Sequence, residues 1–122
     1  MKKRVLVVDD SEVVLERARE ALTAGGFEVY TAISAAAADR YIYGDLRPDM
    51  IILDVMMPVL DGDKKAKLLK GDDLTRKIPI LLLSSKNEEE LARLAAESGA
   101  DGIIRKPFTY REMIEKIKIT FG

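Results

Sequence analysis

The chain has 122 residues, of which 48% are hydrophobic, and this length and composition are typical of one globular domain with its own core. It has neither cysteine nor histidine, which excludes disulfides, thiolate metal sites and histidine-based acid–base catalysis. The formal net charge is −1 and no basic surface is evident beyond residues 2–4, so we expect no direct contact with nucleic acid.

Short apolar runs alternate with helical patterns five times along the chain. The first run is nearly continuous and rich in valine, which is typical of a strand buried on both faces. The second run alternates between apolar and polar residues, which favours an edge strand. The predicted strands, in chain order, are residues 5–8, 27–32, 50–53, 80–83 and 102–104.

Capping residues mark the ends of the predicted helices. Gly25-Gly26 can end the first helix in the left-handed conformation. Asn87 and Thr109 each precede a glutamate by three residues, so each predicts a capping box. The predicted helices are residues 12–23, an alanine-rich helix N-capped by Ser34, a short helix ending near Lys70, a helix opened by Asn87 and closed by Gly99, and a helix from Thr109 to about Thr120.

Five such strand–helix units predict an α/β fold, a three-layer sandwich in which helices cover both faces of a parallel sheet. In open sheets of this kind, ligands bind beyond the carboxyl ends of the strands. Five polar or charged residues lie at predicted strand ends: Asp9, Asp10, Asp54, Ser84 and Lys106. We therefore predict a functional site at this edge of the sheet.

The three aspartates predict a metal site. Close carboxylates raise one another's pKa unless a cation lies among them, and a metal with oxygen ligands is magnesium, calcium or manganese. We expect Asp10 and Asp54 to ligate Mg²⁺ while Asp9 holds its waters. Such a site suits a phosphoryl group, with Asp54 as the nucleophile that forms an aspartyl phosphate. Lys106 and Ser84 are the candidate partners of the phosphoryl oxygens.

These residues, with Lys106-Pro107-Phe108 and the loop at 54–62, resemble the response-regulator receiver domain of two-component signalling, of the chemotaxis-receiver type. The spacing of the acidic, hydroxyl and lysine positions fits that family over essentially the whole chain. The resemblance implies a flavodoxin-like fold with five helices and a five-stranded parallel sheet of order 2-1-3-4-5. It also leads us to expect that residues 1–122 form one receiver domain without an output domain.

The resemblance implies a phosphorelay function. Asp54 would accept a phosphoryl group from a phosphohistidine on a histidine kinase or phosphotransfer protein. Asp9 and Asp10 would bind Mg²⁺, with Asp54 and the backbone carbonyl of Met56 as further ligands. The domain would assist its own phosphorylation and dephosphorylation, but it would be a signalling switch and not an enzyme.

The resemblance also assigns roles to the residues around the phosphoacceptor. Lys106 would pair with the acidic site and then with the phosphoryl group, while Ser84 would swing inward to bond it. The Lys106–Pro107 peptide is expected to be cis. Ile103 lies where the family usually has an aromatic residue that moves with the hydroxyl residue. An aliphatic side chain favours an alternative hypothesis, a pseudo-receiver that binds partners independently of phosphorylation.

Two faces are expected to meet partners. Val13, Val14 and Arg17 on the first predicted helix, together with Pro107-Phe108, border the site and are predicted to dock the phosphodonor. Phe108 is equally compatible with core packing. The fourth helix, fifth strand and fifth helix would carry the output to a downstream protein, in a monomer or weak homodimer.

Other functions fit the sequence less well. An aspartate-nucleophile phosphatase would have an Asp-x-Asp pair and a cap insertion, whereas Asp9 and Asp10 are adjacent. Residues 8–11 lack the glycines of a dinucleotide-binding turn. No apolar run approaches transmembrane length, and the four apolar residues after residues 2–4 are too few for a signal peptide. We therefore expect a cytoplasmic protein with no membrane insertion.

Overall fold

The computed structural model describes residues 2–122, which form alternating strands and helices. Every predicted element is present, with ends that shift by only one or two residues where a range was predicted. The elements are β1 Arg4–Val8, α1 Glu12–Ala24, β2 Glu28–Ala32, α2 Ala35–Ile42, β3 Met50–Asp54, α3 Gly62–Lys70, β4 Ile80–Ser84, α4 Glu88–Ser98, β5 Gly102–Arg105 and α5 Tyr110–Phe121.

The five strands form one parallel sheet in the order β2-β1-β3-β4-β5, which confirms the predicted topology. Helices α1 and α5 cover one face, and α2, α3 and α4 cover the other, so the fold has three layers. None of the helices within residues 2–122 has the length and apolar character needed to cross a membrane.

The central strands are apolar at nearly every position because both of their faces are covered. In β3, Ile51 and Leu53 point into the core beneath α2–α4, whereas Met50 and Ile52 point into the core beneath α1 and α5. The edge strand β2 is only partly buried, as its alternating pattern predicted. The apolar runs thus fill the interior of the sheet, and the polar residues follow at the carboxyl ends of the strands.

The helix caps agree with the sequence at some termini and differ at others. Thr109 and Glu112 form the reciprocal capping box that opens α5, with two bonds of 3.1 Å. At α4, Asn87 accepts the Glu90 N–H at 2.8 Å, but the Glu90 carboxylate pairs with Lys86 at 3.3 Å. The predicted capping box at α4 is therefore wrong, because the preceding lysine draws the glutamate away from the cap.

Two helices end at glycines that were predicted to take the left-handed conformation, but not every one of these glycines does so. Gly99 ends α4 with φ 81°, as expected. After α1, however, Gly25 has φ −80° and only Gly26 is left-handed, with φ 88°. The chain turns towards β2 at the second glycine of the pair.

Candidate functional site

The acidic site forms where two neighbouring strands end. Val8 of β1 pairs with Leu53 of β3, so Asp9 and Asp54 leave the sheet side by side. Each of Asp9, Asp10 and Asp54 offers a carboxylate oxygen, and these oxygens lie within 4.8 Å of one another. Asp9 is fully buried and Asp54 is 4% exposed, whereas Asp10 faces solvent. The predicted acidic trio is therefore assembled by the sheet.

Lys106 reaches this trio from the loop after β5. Its Nζ lies 2.8 Å from Asp9 Oδ2 and 3.2 Å from Asp54 Oδ1. The Lys106 N–H donates to the Ser84 carbonyl at 2.8 Å, which ties the loop to the end of β4. The Lys106–Pro107 peptide is cis, as expected from the resemblance. One ammonium thus serves two carboxylates on strands that β5 does not touch.

The charge balance perturbs the acid–base properties of these groups. Burial and repulsion from Asp9 raise the pKa of Asp54 to about 6, against the opposing effects of Lys106 and the Met56 N–H. Burial by itself would lower the pKa of Lys106, but attraction to the Asp9 and Asp54 carboxylates outweighs burial and raises it. Two buried carboxylates and an exposed one therefore share a single cation of the protein.

One buried oxygen has coordination capacity to spare. Asp9 Oδ1 accepts the Ser11 N–H at 2.9 Å. Asp9 Oδ2 is close enough to Lys106 for strong attraction, yet none of the N–H groups within residues 2–122 makes a well-aligned hydrogen bond to it. Such an atom, beside two further carboxylates and with no nitrogen or sulfur donor, fits a hard divalent cation. The residues present therefore suit Mg²⁺ better than a transition metal.

The loop after β3 folds back tightly over the site. The Gly62 N–H bonds the Val55 carbonyl at 2.9 Å, and a Cβ at Gly62 would lie 2.0 Å from the Asp54 carbonyl oxygen. Only glycine permits this approach. Val59 takes a left-handed φ of 70° with its side chain in solvent, which is strained for a β-branched residue. Sequence reasoning treated Gly62 as a loop marker and missed its packing role.

Ser84 ends β4, buried beside the acidic trio. Its Oγ accepts the Lys86 N–H at 3.1 Å, so the hydroxyl is engaged by the loop that follows it. Ile103 is half-buried; it packs against the core beneath α2–α4 and also lines a groove on the α4–β5–α5 face. The two residues predicted to act as a switch thus lie on neighbouring strands.

The residues predicted to dock a partner divide into two groups. Val13 is 71% exposed, and Val14, Arg17 and Pro107 line an apolar groove of about 230 Å³ that borders Lys106. Phe108 is only 4% exposed and packs in the core beneath α1 and α5, although it also forms part of the wall of this groove.

Arg17 makes contacts that the sequence did not predict. Its guanidinium donates to the Phe108 carbonyl at 3.2 Å and lies 5.9 Å from the centre of the Phe108 ring. The arginine therefore joins α1 to the loop that carries Lys106. The two residues are far apart in sequence, and no local pattern signals the contact.

Residues 5–118 match the family of response regulator receiver domains, and the chain belongs to that family. It is thus a signalling domain of the kind found in two-component response regulators, whose receivers interact with histidine kinases and downstream effectors. Membership agrees with the sheet order and with the acidic site at the carboxyl ends of β1 and β3.

Relatives extend the likeness along almost the whole chain. The phosphate regulon transcriptional regulatory protein PhoB of Pseudomonas aeruginosa is 40% identical over 116 residues, which are 95% of this chain and 50% of that protein. The alkaline phosphatase synthesis transcriptional regulatory protein PhoP of Bacillus subtilis is 39% identical over 97% of this chain and 48% of its own length. The chain thus spans about half the length of these curated relatives.

Among solved structures, the chemotaxis response regulator CheY4 of Vibrio cholerae is similar over 98% of this chain and 99% of its own. The TM-score is 0.90 at 29% sequence identity. The backbone similarity supports the same arrangement of strands and helices that the register of the sheet shows.

Proposed function

We propose that this receiver is a phosphoacceptor: Asp54 takes a phosphoryl group from a phosphohistidine of a histidine kinase or phosphotransfer protein, and the change switches protein–protein contacts. The observation that carries the proposal is the pairing of two buried aspartates with one lysine. Asp54 is held 3.2 Å from the Lys106 ammonium beside Asp9, with an excess of negative charge that a cation would relieve.

The proposed transfer forms an oxygen–phosphorus bond and breaks a phosphorus–nitrogen bond. An Asp54 carboxylate oxygen attacks phosphorus, and the imidazole nitrogen keeps the electron pair of the broken bond. Imidazole leaves as the neutral ring when its other nitrogen already carries a proton. The product is an acyl phosphate on Asp54, which water later hydrolyses to the carboxylate and inorganic phosphate.

The chain's own groups would stabilise the transferred phosphoryl group. Lys106 is already placed beside Asp54, so its ammonium can attract the phosphoryl oxygens without moving far. The Ser84 hydroxyl can donate a hydrogen bond to another of these oxygens once it turns from Lys86. Mg²⁺, held by Asp9, Asp10, Asp54 and the carbonyl of Met56, would neutralise part of the charge on the same oxygens.

We propose one surface beside the site for docking of the phosphodonor and a second surface for the output. The phosphodonor would dock on Val13 and on the groove formed by Val14, Arg17 and Pro107, which opens beside Lys106. The output would leave through α4, β5 and α5. We propose that residues 1–122 act as one receiver domain in the cytoplasm.

Phosphorylation of Asp54→Asn tests the function. The wild-type protein, incubated with acetyl phosphate and Mg²⁺, should gain one phosphoryl group in an intact-mass spectrum. Asp54→Asn should gain none, because an amide oxygen is a poor nucleophile. Asp101→Asn is the matched control: Asp101 also pairs with a lysine, Lys70 at 2.9 Å, and should be labelled like the wild type.

The outcome also decides between the receiver and the pseudo-receiver. Equal labelling of Asp54→Asn and wild type would show that the phosphoacceptor is assigned to the wrong residue. A wild type that stays unlabelled, and whose amide chemical shifts do not change with beryllofluoride and Mg²⁺, would instead favour the phosphorylation-independent module.

A further inference from the structure

Arg105 contacts the loop that engages Ser84. Ser84 and Arg105 are paired across β4 and β5, and both lie at the carboxyl ends of their strands. The Arg105 Nε–H donates to the carbonyl of Lys86 at 3.0 Å. Lys86 in turn donates its N–H to Ser84 Oγ at 3.1 Å. A single residue of the loop therefore joins the Ser84 hydroxyl to the Arg105 guanidinium.

This connection matters because Ile103 has no polar group. An aliphatic side chain that packs against the core cannot exchange hydrogen bonds when Ser84 moves. Arg105, two residues further along β5, has five N–H donors and a permanent charge. It also lines the groove of the α4–β5–α5 face, together with the carboxylates of Glu88, Glu112 and Glu115. Arg105 thus contacts the switch loop and the output face at once.

We propose that Arg105 is the positioning residue that couples Ser84 to the output face of this chain. In the unphosphorylated state its guanidinium donates a hydrogen bond to the Lys86 carbonyl and so holds the loop in place. In this arrangement the Ser84 oxygen accepts the Lys86 N–H. When Ser84 turns towards a phosphoryl group on Asp54, it gives up the Lys86 N–H. The loop then shifts, the hydrogen bond to the Lys86 carbonyl breaks, and the guanidinium is released among the carboxylates of the groove. This inference rests on the proposed phosphoacceptor function.

The sign of the coupling follows from the two environments of the guanidinium. Its bond to the carbonyl is charge-assisted and fixes the geometry of the loop. Ion pairs with exposed carboxylates are weak, because water and salt screen them. Removal of the guanidinium therefore destabilises the inactive arrangement, which loses the hydrogen bond to the Lys86 carbonyl, more than the active arrangement, which loses the ion pairs. The equilibrium should shift towards the active arrangement by about fivefold.

The test uses beryllofluoride, a mimic of the phosphoryl group, with Mg²⁺ and the whole 122-residue chain. Arg105→Met should bind beryllofluoride about fivefold more tightly than the wild type in an NMR titration. In the free protein, the amide signals of Ser84 and Lys86 should already lie part of the way towards their bound positions. Arg105→Lys, which keeps a charged donor, should restore most of the wild-type behaviour.

Arg93→Met is the matched control, since Arg93 is exposed on α4 and pairs with Glu97, one turn along its own helix. It should leave both the affinity and the loop signals unchanged, although it removes the same charge. If the wild type binds beryllofluoride but Arg105→Met has the same affinity and unshifted loop signals, the proposed role of Arg105 is refuted while the phosphoacceptor function stands. If the wild type binds no beryllofluoride, the phosphoacceptor function fails, and this inference fails with it.

Discussion

The two ends of the sheet both hold a lysine–aspartate pair, but their hydrogen-bond balance is opposite. At the amino end, Lys70 Nζ bonds the carbonyls of Arg76 and Ile78 and the carboxylate of Asp101, at 3.2, 2.9 and 2.9 Å. All three donors of that ammonium have acceptors. The same Asp101 oxygen also accepts the Ile80 N–H at 2.8 Å. The Lys70 ammonium is therefore fully hydrogen-bonded, and this lysine–aspartate pair stabilises the chain where β4 begins.

At the carboxyl end the acceptors outnumber the donors. Lys106 faces Asp9 and Asp54, and Asp9 Oδ2 keeps a lone pair without an aligned donor. Burial and repulsion from Asp9 raise the pKa of Asp54, and the excess of acceptors can accommodate a cation. The Lys70–Asp101 pair, whose hydrogen bonds are complete, is structural, whereas the buried pairs of Lys106, whose acceptors have capacity to spare, form a candidate binding site.

Exchanging each lysine for methionine should separate the two ends most clearly. Lys106→Met should slow labelling by acetyl phosphate about 10²–10³-fold, because the charge beside Asp54 is lost. Lys70→Met should leave the labelling rate within about twofold but lower the free energy of unfolding by about 1 kcal/mol, since its partly exposed acceptors lose their partner. Labelling kinetics and urea unfolding of both variants measure this; comparable labelling losses would erase the distinction.

The metal-free protein should gain stability when Asp54 is neutralised. A carboxyl whose pKa rises from 3.8 to about 6 on folding favours the folded state only when protonated. The contribution of this protonated carboxyl to the free energy of unfolding is complete below about pH 4, and it is lost as the pH rises through about 6. At pH 7, Asp54→Asn should therefore raise the free energy of unfolding by about 3 kcal/mol.

Urea unfolding in EDTA at pH 7 and pH 4 checks this prediction, with Asp101→Asn as the counterpart at the amino end. The gain for Asp54→Asn should shrink towards zero at pH 4. Asp101→Asn should instead destabilise at pH 7, because the bonds from Lys70 and from the Ile80 N–H lose their charged acceptor. A gain for Asp54→Asn that is independent of pH would contradict the electrostatic cause.

The smallest expected difference is in the stability cost of alanine at two glycines, which lie at opposite ends of α3. Gly62→Ala places a methyl group against the Asp54 carbonyl and should cost about 2 kcal/mol. At Gly71, φ is −86° and the nearest atom to an added Cβ is 3.5 Å away, so Gly71→Ala should be neutral or stabilise by up to about 1 kcal/mol. Thermal unfolding of both variants decides this, and equal costs would show that the tight approach at Gly62 can relax.

Much of the site could be predicted because its residues follow local signals. Apolar runs define the strands, and parallel strands bring their carboxyl ends to one edge, so Asp9 and Asp54 had to be neighbours once β1 and β3 were adjacent. The caps at Ser34 and Thr109 involve residues only three apart, which is why the sequence predicts them. Asn87 caps α4 as predicted, and only the reciprocal bond of its capping box is absent, because Lys86 pairs with Glu90.

By itself, the sequence determined the order of elements, the three-layer fold and the set of residues that form the acidic edge, since these depend on periodicity and on positions at strand ends. Only the tertiary structure decided that Phe108 is buried, that Arg17 holds its carbonyl and that Arg105 clasps the loop after Ser84. Such contacts join residues far apart in the chain. They depend on how helices and loops pack against the sheet, which no local pattern specifies.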